Sequence, residues 1–213
     1  MKNKFLKTVL LATLFIGVAT SCVNDDDFEI PTLREVFYLE DFESIAEANT
    51  GPNQFISLTD WSNVSIDGSN KLWEARSFSG EKYAQLSAFG SGVSNLESWL
   101  ITPPINLDNT SNEAFAFVYK AAYYNGQAVS VLISEDYDGS GTASAVNSAT
   151  WVDLNVSLTN YLTTGYPTNF SNSGAIDISS FNGNVYIALK YKGGSSGVTT
   201  TYQIDNVKLF ENN

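Results

Sequence analysis

The chain has 213 residues, of which 11 are basic and 23 are acidic, and it contains one cysteine and no histidine. A formal charge of −12 disfavours binding to nucleic acid and to anionic lipid. The lack of histidine excludes His-based catalytic triads and His-ligated zinc or iron sites. Aromatic residues make up 13% of the chain, which suffices at this length for one β-rich domain with its own core.

The first 21 residues have the features of a secretory signal. Lys2, Lys4 and Lys7 precede the apolar stretch TVLLATLFIGVA, which at about a dozen residues is too short to span a bilayer. Small residues then lead to Cys22, an order that resembles a bacterial lipoprotein signal. We therefore expect residues 1–21 to be removed and Cys22 to become a lipid-bearing N-terminus, with palmitate among its acyl chains. An ordinary signal followed by an unpaired thiol is the alternative.

Residues 22–32 are predicted to form an acidic tether. The segment VNDDDFEIPT has no core-forming pattern. It also resembles the acidic export signal of Bacteroidetes-type lipoproteins that reach the outer cell surface, although a merely solvated linker is an alternative. Removal of the signal leaves 8 basic against 23 acidic residues, so the mature formal charge is −15.

Residues 33–213 carry the pattern of a single β-rich domain. Val185, Ile187, Leu189 and Tyr191 alternate with other residues, as expected for a strand with one buried face. Strands are predicted at 35–42, 83–89, 113–121, 128–134, 150–158, 184–191 and 201–210. Only 43–49 has helical features. Strands joined by Gly-, Ser- and Asn-rich turns, without a βαβ rhythm, indicate an all-β antiparallel sandwich.

Two tyrosines follow the third of these strands. Tyr123 and Tyr124 are adjacent, so we expect one of them to be exposed and, with Asn125, to offer a platform on which a sugar ring could stack. Tyr166, in the long polar segment 160–173, is a second candidate for ligand binding. Ordinary packing is the alternative for all four residues.

The last predicted strand changes phase. Tyr202 and Ile204 share one parity, whereas Val207 and Leu209 share the other. A bulge at Asp205–Asn206 would return the apolar residues to one face. Two interpretations of this polar pair are open, namely a binding site and a kink near a sheet edge.

Several stretches together resemble the choice-of-anchor J and cleaved-adhesin group of extracellular domains, which are related to MAM-like and carbohydrate-binding modules. The matching stretches, in family order, are YLEDFES (38–44), WSNVSIDGSNKLW (61–73), SWLITPPINL (98–107), AFAFVYK (114–120), VLISEDYDG (131–139) and YQIDNVKL (202–209). The resemblance implies a two-sheet, galactose-binding-like jelly roll in a Bacteroidetes surface lipoprotein.

The resemblance also implies a structural calcium ion between the first and last strands. Residue by residue, its ligands would be Asp41, Glu43 and Asp205, since carboxylate oxygens suit calcium. A solvated acidic edge is the alternative. The family often has a second ion loop, at 61–73 here, but serines at 65 and 69 replace expected acids, so we predict no ion there.

The sequence thus predicts a binding module anchored in the outer membrane by lipid, facing the cell exterior and recognising glycan for adhesion or polysaccharide capture. The alternative is a structural domain that docks another cell-surface protein. We predict no enzyme, because no spacing selects a glycosidase pair among the acidic residues and the resemblance implies no active site. These acids are Glu74, Glu81, Glu97, Glu135 and Asp136.

Overall fold

The computed structural model describes residues 34–45 and 54–212. Cys22 and the predicted segments 1–21 and 22–32 lie outside them. The described residues form one short helix, α1 (Ala143–Ser148), and a series of strands. The strands are β1 (Val36–Glu40), β2 (Ser62–Ser65), β3 (Glu74–Phe78), β4 (Glu81–Leu86), β5 (Leu96–Ile101), β6 (Ile105–Asn106), β7 (Glu113–Ala122), β8 (Val129–Ser134), β9 (Val152–Asp153), β10 (Ser171–Asn172), β11 (Ile176–Asp177), β12 (Asn184–Gly193) and β13 (Thr201–Glu211). No helix among the described residues is long and apolar enough to cross a bilayer.

The strands pair antiparallel in two sheets, which confirms the predicted all-β sandwich. The seven-stranded sheet has the order β10-β7-β13-β4-β3, with β1 beside β13 and β11 beside β7. The six-stranded sheet has the order β2-β5-β12-β8-β9, with β6 beside β12. The main core lies between the sheets, and the predicted inward face of β12 is at most 1% exposed.

The predicted bulge in β13 is confirmed. The register with β7 shifts between Asp205 and Lys208, and Asn206 has a φ of 50°. On its other edge β13 pairs with β4 before the bulge, at Ile204↔Ala84, and with β1 after it, at Val207↔Glu40. The bulge therefore lies where β1 ends and β4 begins.

The outer face of the six-stranded sheet is covered by the segment between β8 and β9. Val146 of α1 and Tyr137 pack with Trp99 in a second buried cluster, and the Trp99 and Trp151 ring centroids are 5.1 Å apart. Thr142 caps α1 by accepting a hydrogen bond from the Ala145 amide, 3.1 Å away. With this covering in place, the open face of the sandwich belongs to the seven-stranded sheet.

The predicted strand over 150–158 is wrong in length, since only Val152–Asp153 form a strand. Asn155 ends it by adopting a φ of 52°, and its side-chain amide donates to the Asp153 carbonyl at 3.0 Å. The alternating residues beyond it still pack inward, and Leu158 is buried.

Candidate functional site: a cleft on the seven-stranded sheet

The outer face of the seven-stranded sheet carries two adjoining depressions of about 670 and 550 Å³. Strand alternation creates this face, because Leu86 and Tyr202 point into the core while Gln85 and Gln203 point away from it. Arg76, Gln85 and Tyr166 line both depressions, which therefore form one continuous cleft.

A row of polar side chains crosses the floor of the cleft at one register level. Lys120 of β7 pairs with Gln203 of β13, Gln203 with Gln85 of β4, and Gln85 with Glu74 of β3. Neighbours in such a row lie about 5 Å apart. The Gln203 side-chain amide donates to Gln85 Oε1 at 3.0 Å, and Arg76 Nε donates to Glu74 Oε2 at 2.8 Å. The floor thus offers amide and charged groups that can hydrogen-bond to a ligand.

Aromatic side chains form the walls of the cleft. Tyr123 and Tyr166 are 53% and 45% exposed, and their rings meet edge to face with centroids 5.5 Å apart. Phe78 and Phe89, at 72% and 83%, are the most exposed large apolar side chains of the described residues, and both line the cleft. Exposed rings beside amides are the combination that sugar binding requires, an apolar face for the ring and partners for the hydroxyls.

Four residues were predicted from sequence as candidates for ligand binding, and the structure brings two of them together. Tyr123 and Tyr166 share the cleft, although the chain turns at Tyr123 (φ 50°) and does not continue as a strand. Tyr124 is half-buried, and its ring stacks on the ring of Tyr161 with the two centroids 3.8 Å apart. Asn125 accepts a hydrogen bond from the Thr199 amide at 2.8 Å and so braces a loop that lines the cleft. Ligand contact by any of the four stays a prediction.

Sequence reasoning missed the floor of the cleft. Arg76, Gln85, Lys120 and Gln203 each stand on the polar parity of a strand, which was the available signal. Their convergence depends on the order of strands in the sheet, which the sequence alone did not supply.

A group of acidic residues lies beside the bulge at one end of the same sheet. Asp205 is only 5% exposed, and its carboxylate accepts hydrogen bonds from the backbone and side-chain amides of Asn206, at 2.6 and 3.1 Å. Burial raises the pKa of Asp205 to about 6; the bond from the Asn206 backbone opposes the rise, and the negative charges of Glu43 and Glu81 add to it.

The predicted calcium ligands do not form a ready-made set. β1 ends at Glu40, so Asp41 lies in a turn, where its carboxylate accepts from the Glu43 amide at 3.1 Å. Glu43 Oε1 accepts from the Lys82 backbone amide, and the Lys82 ammonium donates to the carbonyls of Glu43 and Ile45 at 2.8 and 2.9 Å. Within residues 34–45 and 54–212, no three acidic side chains are grouped to hold a metal. Calcium binding by Asp41, Glu43 and Asp205 stays a prediction.

A protein-family model matches the C-terminal half of the chain. The family model described as "Domain of unknown function (DUF5017)" matches residues 107–213, which is half of the chain. The chain belongs to the DUF5017 family. The matched part runs from just before β7 to the C-terminus, so it contains Lys120, Tyr123, Tyr166 and Gln203 of the cleft. No curated protein matches the chain.

Several solved structures are similar to this DUF5017 chain. The K2 cleaved adhesin domain of Lys-gingipain aligns with a TM-score of 0.53 at 14% identity, covering 81% of this chain and 98% of that one. The K1 cleaved adhesin domain of Lys-gingipain from Porphyromonas gingivalis W83 aligns with a TM-score of 0.49 at 14% identity, covering 83% and 98%. The mannan-recognising carbohydrate-binding module TmCBM27 aligns with a TM-score of 0.44 at 12% identity, covering 85% and 99%. The K2 alignment supports the cleaved-adhesin-like sandwich predicted from sequence.

The buried Asp205 makes stability depend on pH. Because its pKa rises from 3.8 when unfolded to about 6 when folded, the folded state binds its proton more tightly, and stability falls as pH rises from about 4 to above 6. We expect Asp205→Asn to stabilise the protein at pH 8 by about 1–2 kcal/mol, since the substitution removes the buried charge but loses one hydrogen bond to Asn206. The gain should vanish at pH 4, and chemical denaturation at both pH values measures it.

Asp60→Asn, at an exposed aspartate, is the matched control and should show no such pH dependence. A destabilised Asp205→Asn at pH 8 would contradict this account.

Calcium provides a second comparison. If Asp41, Glu43 and Asp205 hold a calcium ion as predicted, millimolar calcium should raise the melting temperature of the wild type by more than about 1 °C, and Asp205→Asn should abolish the rise. A melting temperature that calcium leaves unchanged would contradict the predicted site.

Proposed function

We propose that this chain is a non-catalytic, glycan-binding module displayed on the bacterial cell surface. The observation that carries the proposal is the cleft, in which the exposed pair Tyr123 and Tyr166 stands beside the amides of Gln85 and Gln203. A sugar ring can stack on an exposed tyrosine while its hydroxyls bond to the amides.

Binding without hydrolysis fits the distribution of acidic residues. Glycoside hydrolysis uses two carboxyl groups about 5–9.5 Å apart. Among the described residues that line the cleft, Glu74 is the one acid, and Arg76 pairs with it. The solved structures with a similar sandwich are named as adhesin domains and as carbohydrate-binding modules, and these names agree with a binding role.

The N-terminal sequence supports a proposal for where the module is located. We infer that Cys22 is lipidated, that residues 22–32 tether the domain 33–213, and that the anchor holds the domain on the exterior of the outer membrane. Mass spectrometry of the protein from its own cells should find a chain that begins at Cys22 with acyl chains attached. A free Cys22 thiol would contradict the anchor and leave the cleft proposal intact.

A panel of soluble polysaccharides tests the binding function. Affinity electrophoresis of the purified protein through gels that contain neutral or acidic plant and microbial polysaccharides should show retardation by at least one of them. A folded protein that none of the polysaccharides retards would contradict glycan binding, and it would favour the alternative of a domain that docks another surface protein.

A further inference from the structure

The cleft gathers cations in a protein that has few of them. After residue 21 the chain carries 8 lysines and arginines against 23 acids. Three of these cations, Lys71, Arg76 and Lys120, line the cleft, whereas Glu74 is the one acid among the described residues lining it. The cleft therefore carries a local positive charge inside an acidic surface, and such a cleft concentrates anionic ligands.

Most of the other cations already serve the fold. Lys190 and Lys192 pair with Glu97 at 3.2 and 3.4 Å, and Lys82 binds the carbonyls of Glu43 and Ile45. By contrast, neither Lys71 nor Lys120 forms an ion pair with a described residue. No described carboxylate therefore neutralises their charges.

Lys120 is held in position for such a contact. It lies at one end of the polar row, next to Gln203, and its ammonium nitrogen is 4.6 Å from the centroid of the Phe170 ring. Contact with an aromatic face restricts a lysine side chain without neutralising its charge. A ligand anion above Gln203 would thus meet an oriented cation beside hydrogen-bonding amides.

We infer that the cleft selects an acidic glycan, one that carries carboxylate or sulfate groups on its sugar rings. This inference rests on the proposed function and specifies the class of glycan that the cleft binds. Lys120 and Lys71 contact the anionic groups, the side-chain amides of Gln85 and Gln203 bond to hydroxyls, and Tyr166 provides the apolar surface for a ring.

Calorimetry with polygalacturonate, its methyl ester and a neutral galactan tests the inference. Esterification removes the negative charges and keeps the sugar backbone, so we expect the acid form to bind at least tenfold more tightly than the ester. Lys120→Met keeps most of the side-chain length and should lose about tenfold in affinity for the acid form, with a smaller loss for Lys71→Met. A sulfated galactan beside the neutral one distinguishes sulfate from carboxylate recognition.

Lys192→Met is the matched control. It removes one positive charge, as Lys120→Met does, but Lys192 lies on the six-stranded sheet, where its side chain is 69% exposed. It should leave affinity within about twofold of the wild type. Equal binding of charged and uncharged polysaccharides, with Lys120→Met harmless, would overturn the acidic specificity while the glycan-binding function stood. Absence of binding to every polysaccharide would overturn both.

Discussion

Replacing Tyr166 with alanine is expected to weaken glycan binding by about 10- to 100-fold, and the protein should stay folded. Tyr166 lines both depressions of the cleft and is 45% exposed, so its ring is available for stacking. Loss of one well-placed aromatic contact commonly removes about 1.5–3 kcal/mol of binding free energy. Tyr123→Ala should have a smaller effect, because Tyr123 lines only the larger depression and supports Tyr166 from the side. Calorimetry with the polysaccharide that retards the protein most provides the measurement.

Tyr161→Ala is the control for the tyrosine prediction. Tyr161 lies in the same loop and is 44% exposed, but it stacks on Tyr124 and does not line the cleft. We expect its affinity to remain close to that of the wild type. If Tyr161→Ala weakened binding as much as Tyr166→Ala, the conformation of the loop, and not contact with the Tyr166 ring, would explain both losses.

Replacing Tyr191 with phenylalanine should destabilise the protein by about 2–4 kcal/mol, although only one oxygen atom is removed. The Tyr191 hydroxyl is buried between two loops, where it donates to the Thr200 carbonyl and accepts from the Ala88 amide, both at 2.9 Å. The substitution leaves these two buried backbone groups without their partner. Burial also raises the pKa of Tyr191 to about 12, so the hydroxyl keeps its proton at physiological pH.

The same hydroxyl supports the cleft. The two loops that it joins contain Ser87 and Phe89 on one side and Thr199 on the other, and these residues line the cleft. Thermal denaturation of Tyr191→Phe should show a melting temperature lower by about 5–15 °C. We also expect weaker glycan binding well below that temperature, because the wall formed by the loops is no longer fixed.

Tyr186→Phe is the matched control for Tyr191→Phe. Tyr186 is on the same strand, β12, but five positions away and therefore on the opposite face, where it packs against Tyr137. We expect a loss of less than about 0.5 kcal/mol. A Tyr191→Phe protein as stable as this control would contradict the bridging role of the Tyr191 hydroxyl.

The alternation of apolar and polar residues along the chain predicted most of the sandwich, because local sequence determines which side of a strand is apolar. The strand β12 has its predicted inward face, and the phase change in β13 located the bulge at Asp205 and Asn206. Alternation failed where a single residue redirected the backbone, as Asn155 does after β9. The helix α1 was missed because it is six residues long and too short to show a helical period.

The cleft could be predicted only in part, because its residues come from distant parts of the chain. Gln85 and Gln203 are hydrogen-bonded although 118 positions separate them. Their meeting depends on β4 lying beside β13, which is a property of the topology and not of either strand. Tyr123 and Tyr166 were identified as separate candidates, but no pattern in the chain indicated that their rings would meet.

The central claim is that the open face of the seven-stranded sheet binds glycan, and an NMR titration tests it most directly. The titrant is a set of oligosaccharides cut from the polysaccharide that retards the protein most. We predict that the largest shifts of backbone amide signals fall on Gln85, Tyr123, Tyr166 and Gln203, with little change over 137–151 on the opposite sheet. Shifts confined to 137–151, or spread evenly over the surface, would contradict the claim.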